Sequence, residues 1–341
     1  MALALSLARR GLGQVAPNPA VGCVIVDRDG LVAGRGWTQK SGRPHAETMA
    51  LAQAGARASG GTAYVTLEPC SHVGETGPCA DALVKAGIAR VVSAMQDPDP
   101  RVMGSGHARL ARAGIEVVTG IHEAEARRLN EGFILRVTQG RPLVILKLAM
   151  SIDGRIATSS GASQWITGDA ARAHGHMLRA GADAILIGAG TALADDPALT
   201  CRIAGLEERS PLRVVAAGKR AFRVPQRLAT SQDKAPVLVL GPEIDAQDAG
   251  RPRPAAILSA LAARGITRLL VEGGSTLAGA FLRAGQVDVL YAYRGAAMIG
   301  GDGLAATSPL GATEMAQVAR FRLESVTTLG DDVVEVFRPA A

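Results

Sequence analysis

The sequence predicts an α/β protein with two domains. Strand-like runs of apolar and β-branched residues alternate with helix-like runs along the chain, which is the pattern of α/β folds. The chain has 341 residues, more than the roughly 100–200 residues of a typical domain. A long helical pattern stops at Gly140-Arg141-Pro142, and glycine and proline end helices. We therefore predict one domain at residues 1–140 and a second at residues 141–341.

The first domain is predicted to open with a short amphipathic helix. Strands are predicted where β-branched residues lie between turn residues, at 21–27, 31–36, 62–67, 90–95 and 115–119. The first two strands form a hairpin at Asp29-Gly30, a dipeptide that favours tight turns. Helical spacing predicts helices at 45–57, 81–86, 106–113 and 122–139. Gly87, directly after the second of these, is a helix stop.

The second domain repeats the alternation of strands and helices. Its strands are predicted at 143–149, 184–188, 213–217, 237–240, 268–271, 287–293 and 333–337. Its helices are predicted at 169–180, 255–264 and 276–284, the first of them with Thr167 or Asp169 as N-cap. Residues 204–210 and the segment rich in proline and arginine at 242–254 are predicted as loops.

The composition limits the classes of function. Hydrophobic residues make up 48% of the chain and charged residues 20%, so a sizeable core is available. Aromatic residues make up only 3%, which disfavours the base-stacking surface of a single-stranded nucleic-acid binder. The net charge of +6 comes from 37 basic and 31 acidic residues that are scattered along the chain. Such a surface suits a phosphorylated small molecule better than a nucleic acid, which needs a continuous basic stripe.

The sequence also indicates where the protein works. The two arginines near the N-terminus follow the apolar stretch, the reverse of the order in a signal peptide. We find no uncharged apolar run of membrane-spanning length. The four cysteines do not form a disulfide framework, which indicates a reducing compartment. We expect a cytoplasmic protein without a membrane partner, assembled as a homo-oligomer.

Three residues in the first domain are of the types that commonly serve as zinc ligands. His45 begins a predicted helix, Cys70 follows a predicted strand, and Cys79 precedes another helix. One imidazole and two thiolates leave a fourth position open, as catalytic zinc sites do. Zinc lowers the pKa of a bound water from about 16 to about 7. Glu47, two residues after His45, is placed to move protons as a general acid and base.

The spacing of the motif leaves alternatives open. Zinc deaminases usually carry H-x-E followed by P-C-x-x-C, whereas here eight residues separate the cysteines. A structural zinc site or a buried histidine is the bland interpretation. A deaminase acting on tRNA or nucleosides predicts a steep salt dependence of nucleic-acid binding and leaves the second domain unexplained. A structural zinc module fused to a nucleotide-binding regulatory domain predicts a fourth protein ligand, and neither Cys23 nor Cys201 is near the motif in sequence.

Longer segments carry a family resemblance. They read PNPAVG (17–22), GRPHAE (42–47), TLEPCSH (66–72), PC (78–79), DPDP (97–100) and GSG (104–106). Together they closely resemble the bifunctional riboflavin-biosynthesis deaminase/reductase family, in which the long gap between the cysteines is normal. The resemblance implies that Asn18 and the loop 71–77, including His72, line a pyrimidine pocket. One position departs from the family pattern, since many relatives have a histidine where this chain has Thr38.

The second half resembles the reductase domain of the same family. The matching segments read KLAMSIDGR (147–155), SQWIT (163–167), LRA (178–180), GAGT (188–191), DDPALT (195–200) and VEGGSTL (271–277). The last runs from a strand into a helix, where two glycines allow close approach and free N–H groups attract phosphate. It is not a Rossmann fingerprint, because no G-x-G-x-x-G follows the first strand.

The resemblance implies a fold, a reaction and a set of site residues. The fold class is a cytidine-deaminase-like three-layer α/β/α domain followed by a dihydrofolate-reductase-like α/β domain, with Zn²⁺ and NADPH as cofactors. The implied NADPH-binding residues are Ala149, Trp165, Thr191, Asp195, Gly274, Ser275, Thr276, Leu277, Ala278, Gly279 and Ala280. The implied substrate-binding residues of the reductase are Ser163, Arg179, Leu199, Arg202 and Glu272. Arginines at two of these positions suit a phosphate.

A second departure lies at Ala217-Gly218, where relatives often carry an Asp-Ser pair. It concerns the adenosine end of NADPH, and we hypothesise that Lys219 or Arg220 meets the 2′-phosphate. The function implied for the whole chain is hydrolysis of the ring amine of 2,5-diamino-6-ribosylamino-4(3H)-pyrimidinone 5′-phosphate. Reduction of its ribosyl group to ribityl by NADPH then gives 5-amino-6-ribitylaminouracil 5′-phosphate.

Overall fold

The structure of the protein is a computed structural model. The structure describes residues 1–71, 77–218, 222–231, 235–244, 246–247 and 250–340. It divides into two compact units, Met1–Arg141 and Pro142–Ala341. Among the described residues, no helix combines the length and apolar character needed to cross a bilayer.

Unit 1 is built on a five-stranded sheet. The strands are β1 Gly22–Val26, β2 Val32–Trp37, β3 Thr62–Val65, β4 Arg90–Ser93 and β5 Glu116–Thr119, in the order β2-β1-β3-β4-β5. β1 is antiparallel to β2 and β3, whereas β3, β4 and β5 are parallel. The helices are α1 Ala2–Ala8, α2 Ala46–Ala54, α3 Cys79–Lys85, α4 Ser105–Arg112, α5 Glu123–Leu129 and α6 Glu131–Gln139.

Both faces of this sheet carry apolar clusters. Cys23 and Ile25 belong to the larger cluster and Val24 to a smaller one, because alternate residues of a strand point to opposite faces. Helix α2 lies unusually close to β2. A Cβ at Gly34 would lie 2.1 Å from the Ala50 carbonyl oxygen, so only glycine permits this approach. The close packing fixes the N-terminus of α2 against the sheet.

The predicted helix 122–139 is wrong in one respect, since it is two helices. α5 ends and α6 begins at Asn130, which is buried. Its side-chain oxygen accepts a hydrogen bond from the Ala20 N–H at 2.9 Å, and its amide donates to the Ala20 carbonyl at 3.0 Å. This long-range pair interrupts the helix because the asparagine side chain binds backbone groups of another segment instead of continuing the helix.

Unit 2 is built on an eight-stranded sheet in the order β10-β9-β8-β13-β6-β14-β17-β16. The strands of the unit are β6 Leu143–Ser151, β7 Arg155–Ala157, β8 Ala184–Gly188, β9 Leu212–Ala216, β10 Val237–Leu240, β11 Ala246–Gln247, β12 Arg251–Pro252, β13 Arg268–Val271, β14 Val289–Gly295, β15 Leu304–Ala305, β16 Phe321–Leu329 and β17 Asp332–Pro339. The helices are α7 Asp169–Ala180, α8 Ala189–Asp195, α9 Gln226–Thr230, α10 Pro254–Ala263 and α11 Ser275–Arg283.

Six neighbouring strands of this sheet, from β10 to β14, are parallel. Parallel strands bring their carboxyl ends to one edge of the sheet, where ligands bind in such folds. The sequence prediction missed the strands β7, β11, β12, β15 and β16 and the helices α8 and α9. β16 is exposed along nearly its whole length, and a register shift between Leu323 and Ser325 interrupts its alternation of apolar and polar residues, which weakens the period-2 signal of a strand. α8 has only seven residues, too few for a clear helical period. The segment 242–254, which was predicted to be a loop, contains the two-stranded pair β11–β12.

Candidate active sites

The three predicted zinc ligands converge in unit 1. Their ligand atoms all lie within 4.8 Å of one another. His45 Nδ1 is 3.2 Å from Cys79 Sγ and 3.6 Å from Cys70 Sγ. His45 is the N-cap of α2 and Cys79 is the first residue of α3, so two helix N-termini hold two of the ligands. The donor set of one nitrogen and two sulfurs fits zinc.

The two thiols share one negative charge. The hydrogen bond with Cys79 lowers the pKa of Cys70 to about 4, and the same bond, with burial, raises the pKa of Cys79. The main-chain N–H of Cys79 also donates to Cys70 Sγ at 3.3 Å. These contacts favour the thiolate of Cys70, which is the form that binds metals.

Glu47 lies beside this cluster without joining it. Glu47 is 3% exposed and lies in the first turn of α2. Among the described residues, the cluster of possible metal ligands contains His45, Cys70 and Cys79 and does not include Glu47. Burial raises the pKa of Glu47 to about 7. A carboxyl group that takes up and releases protons near neutral pH suits acid–base chemistry.

A cavity of about 500 Å³ opens onto this cluster. Asn18, Thr38, His45, Glu47 and Cys70 line it. The Thr38 hydroxyl is occupied by the backbone, since it accepts a hydrogen bond from the Val21 N–H at 3.0 Å. The predicted substrate contact His72 lies outside the described residues.

Several lining residues were missed by the sequence reasoning. They are Arg43, Asp97, Asp99, Arg101, Phe133, Arg136 and Val137. The last three lie on α6 at a spacing of three and one, which is one helix face. The sequence did carry a signal for these three, because an aromatic, a cationic and an apolar residue lie together on one face of a charged helix.

The site in unit 2 centres on a partly buried ion cluster. Arg179 donates to both oxygens of Glu272, from Nε at 2.8 Å and from Nη2 at 2.9 Å. Lys147 Nζ lies 3.7 Å from Glu272 Oε2. Burial alone would raise the pKa of Glu272, but the charges of Arg179 and Lys147 outweigh it and lower the pKa to about 2. One carboxylate, just beyond the carboxyl end of β13, thus holds a cation from the middle of β6 and another from α7.

A cavity of about 570 Å³ surrounds this cluster. It is lined by ten of the predicted reductase residues: Ala149, Trp165, Thr191, Asp195 and Gly274 from the cofactor set, and Ser163, Arg179, Leu199, Arg202 and Glu272 from the substrate set. The sequence reasoning missed Lys147, Arg172, His176, Arg227 and Tyr293, which line the same cavity. A lysine within the apolar strand LVILKLA was a signal for Lys147, because a central strand seldom carries a charge without a use.

Six predicted cofactor residues, Ser275 to Ala280, are not among the lining residues. They form the first turns of α11. Ala278 is fully buried, and a Cβ at Gly279 would lie 2.2 Å from Ser308 Oγ. Their assignment to the NADPH site stays a prediction. If it holds, the main-chain N–H groups at the N-terminus of α11 contact the cofactor, and these side chains do not.

The departure at Ala217-Gly218 has a structural reason. Gly218 has φ +71°, and a Cβ there would lie 2.3 Å from the Gly250 carbonyl oxygen. A serine side chain therefore has no room at this position. Lys219 and Arg220, which follow, lie outside the described residues.

His176 makes the unit 2 site sensitive to acid. Burial and the charges of Arg179 and Arg202 lower the pKa of His176 to about 4, and Arg202 Nε donates to His176 Nε2 at 3.3 Å. The unfolded chain binds a proton at about pH 6.5, so stability is lost as pH falls from about 6.5 towards 4.

We expect His176→Gln to remove part of this loss, about 1 kcal/mol after discounting for the solvent exposure of the ring. Urea unfolding between pH 4 and 7 measures it, followed by Trp165 fluorescence in a Trp37→Phe background. His122→Gln, at an exposed histidine of unit 1, is the matched control. An unchanged pH slope in the His176 variant would contradict the assignment.

Comparison with known proteins identifies both halves. Residues 1–95 match the family model of the cytidine and deoxycytidylate deaminase zinc-binding region, and residues 142–335 match the RibD C-terminal domain. The riboflavin biosynthesis protein RibD of Escherichia coli K12 is 43% identical over 98% of this chain and 96% of its own length. RibD of Aquifex aeolicus is 39% identical over 99% of this chain and 97% of its own length.

Solved structures agree over the full length. RibD of Acinetobacter baumannii superposes with a TM-score of 0.90 at 39% identity, covering 100% of this chain and 98% of that chain. The Thermotoga maritima diaminohydroxyphosphoribosylaminopyrimidine deaminase/5-amino-6-(5-phosphoribosylamino)uracil reductase superposes with a TM-score of 0.87 at 36% identity, covering 100% and 97%. The predicted fold class is confirmed. The chain therefore belongs to the RibD family of riboflavin biosynthesis, which joins a zinc-dependent deaminase to an NADPH-dependent reductase.

Proposed function

We propose that residues 1–140 hydrolyse the ring amine of 2,5-diamino-6-ribosylamino-4(3H)-pyrimidinone 5′-phosphate and that residues 141–341 reduce its ribosyl group to ribityl. The observation that carries this proposal is the convergence of His45, Cys70 and Cys79 beside the buried Glu47. The name of the Thermotoga maritima protein, which contains both activities, supports the order of the two steps. We also propose a cytoplasmic homo-oligomer that acts on this small molecule and on no nucleic acid.

The first step replaces a ring amine by oxygen. When bound by His45, Cys70 and Cys79, zinc supplies Lewis acidity that makes water nucleophilic at neutral pH. Glu47 accepts a proton from the attacking water on a carboxylate oxygen. It delivers this proton to the ring nitrogen. It then takes the proton of the hydroxyl added to the ring carbon and passes it to the departing amine, which leaves as ammonia while the carbonyl forms. Water enters and ammonia leaves, so no oxidant is required.

The cavity of unit 1 has groups for each part of the substrate. Phe133 offers an aromatic face for the pyrimidine, and Asn18 offers both donor and acceptor to its edge. The Asn18 side chain is held by packing, since a Cβ at Gly42 would lie 1.8 Å from its Nδ2. Arg43 and Arg136 supply positive charge for the phosphate.

The second step opens the ribose ring. NADPH, when bound, supplies the hydride that forms the new C–H bond at C1′ of the sugar. The bond between C1′ and the ring oxygen breaks, and that oxygen takes a proton. Lys147 is placed to donate it, since the residue lines the cavity and its ammonium lies 3.7 Å from Glu272 Oε2. Arg179 and Arg202 bind the substrate phosphate.

The NADPH site is assigned to the other wall of this cavity. Ala149, Trp165, Thr191 and Asp195 line it. The Thr191 hydroxyl accepts a hydrogen bond from the Gly274 N–H at 3.2 Å, which fixes the turn before α11. The free N–H groups at the start of this helix attract a phosphate of the dinucleotide.

The test supplies the diaminopyrimidinone phosphate with zinc and follows two signals separately. Ammonia release reports the deaminase, and the fall of NADPH absorbance reports the reductase. We expect ammonia release without NADPH, and NADPH oxidation only after deamination. Absence of ammonia release from the zinc-loaded protein would refute the proposed function.

Binding of the NADPH 2′-phosphate by Lys219 or Arg220 stays a prediction from the sequence. If Lys219 or Arg220 binds this group, replacing both by alanine lowers the preference for NADPH over NADH, because a phosphate dianion loses its cationic partner. The ratio of kcat/KM for the two cofactors measures this preference. An unchanged ratio would show that other residues bind the 2′-phosphate.

A further inference from the structure

Glu68 is a buried carboxylate next to the zinc ligands that the proposed chemistry does not use. The residue is 5% exposed and lies two positions before Cys70. Its main-chain N–H donates to the Met95 carbonyl at 3.0 Å, just beyond the paired strands β3 and β4. Burying a carboxylate is costly unless hydrogen bonds compensate.

Four main-chain N–H groups provide that compensation, and all belong to one segment. Oε1 accepts hydrogen bonds from Gly106 at 2.8 Å and from His107 at 3.2 Å, both in the first turn of α4. Oε2 accepts from Asp97 at 3.0 Å and from Gly104 at 2.9 Å. Charge-assisted bonds of this kind are strong. One side chain therefore clamps both ends of the segment 97–104.

The clamped segment forms a wall of the deaminase cavity. Its lining residues are Asp97, Asp99, Arg101 and Val102. The wall is also tied internally, because Asp99 accepts hydrogen bonds from Arg101 Nε at 2.9 and 3.0 Å and from the Arg101 main-chain N–H at 3.0 Å. These internal bonds let the segment move as one piece with its two anchored ends.

The same region is packed against the turn that carries Cys70. A Cβ at Gly106 would lie 1.9 Å from the Pro69 carbonyl oxygen, so the α4 N-terminus lies directly against this turn. Ser71 Oγ and Ser105 Oγ are 2.6 Å apart. The turn that carries Cys70 therefore packs against the end of the cavity wall, and Glu68 bonds to that same end.

We propose that Glu68 is a positioning residue of the deaminase, which fixes the wall 97–102 at a set distance from Cys70 and so shapes the pocket for the pyrimidine. Both of its oxygens are occupied by N–H donors, so it transfers no proton. This inference rests on the deaminase function proposed above.

Glu68→Gln tests the role. Glutamine keeps the shape but replaces one accepting oxygen by an NH₂ group, which faces two N–H donors and loses their bonds. We expect KM for deamination to rise about tenfold or more, since small displacements of binding groups have effects of this size. We expect a smaller change in kcat, unchanged zinc content, and unchanged NADPH oxidation with the deaminated substrate. Hydrogen–deuterium exchange of peptides covering 97–107 should be faster in the substrate-free protein.

Glu116→Gln is the matched control, because it makes the same change at a side chain that is 62% exposed in the same unit. If the glutamine variant does not fold, Glu68→Asp replaces it. Aspartate keeps the charge but is too short to reach both ends of the segment, so we expect the same result. An unchanged KM, unchanged exchange, or loss of zinc in parallel with the rise in KM would overturn the proposal. If the wild type itself releases no ammonia, the proposed function fails, whereas the exchange measurement still decides whether the clamp exists.

Discussion

Replacing Glu47 by glutamine is expected to lower ammonia release by about 10²- to 10⁴-fold, the range of general acid–base catalysis. Glutamine fills the same buried space but cannot accept the proton of the attacking water. Zinc should stay bound, because His45, Cys70 and Cys79 supply the ligand atoms without Glu47. Metal analysis and ammonia release, measured on the same preparation, test both statements together.

Two comparisons make this result specific. NADPH oxidation with deaminated substrate should be unaffected, since it depends on the cavity of unit 2. Glu116→Gln should leave ammonia release unchanged. Loss of zinc from the Glu47 variant would make this carboxylate a ligand and refute its assigned role. Glu47→Ala should give the same loss of ammonia release with zinc retained.

The zinc site could be predicted because each of its parts is encoded locally. A histidine after Pro44 begins a helix, a Pro-Cys pair follows a strand, and a second cysteine begins another helix. These are the positions at which side chains and free N–H groups meet at one edge of a sheet. Residue type and local structure were therefore enough to predict that these three side chains converge.

The clamp of Glu68 and the ion cluster of unit 2 depend on strand order, which periodicity does not contain. Lys147 and Glu272 are far apart in sequence. They meet because β6 and β13 are parallel neighbours with Leu146 opposite Val271, so Lys147, within β6, lies beside Glu272, the residue that follows β13. Helix 122–139 was mispredicted for a similar reason, since Asn130 is bound by the distant backbone of Ala20.

Lys147→Met is expected to lower NADPH oxidation by about 10²- to 10³-fold, within the range for loss of a general acid. Methionine keeps the length and the apolar stem of lysine. Glu272 is not left unpaired, because Arg179 still donates to both of its oxygens. The variant should therefore fold and bind NADPH, which a fluorescence titration with NADPH checks.

The contrast with Glu272 shows why Lys147 is the informative change. Removing Glu272 would leave Lys147 and Arg179 as two neighbouring, partly buried cations without their shared carboxylate, and breaking an ion pair in this way destabilises the fold. A loss of activity in that variant would confound folding with chemistry. In Lys147→Met the free energy of unfolding should change little, so a lower kcat with an intact NADPH affinity identifies the proton donor. Lys85→Met, at an exposed lysine of unit 1, is the control, and a Lys147 variant with normal kcat would assign the proton to another group.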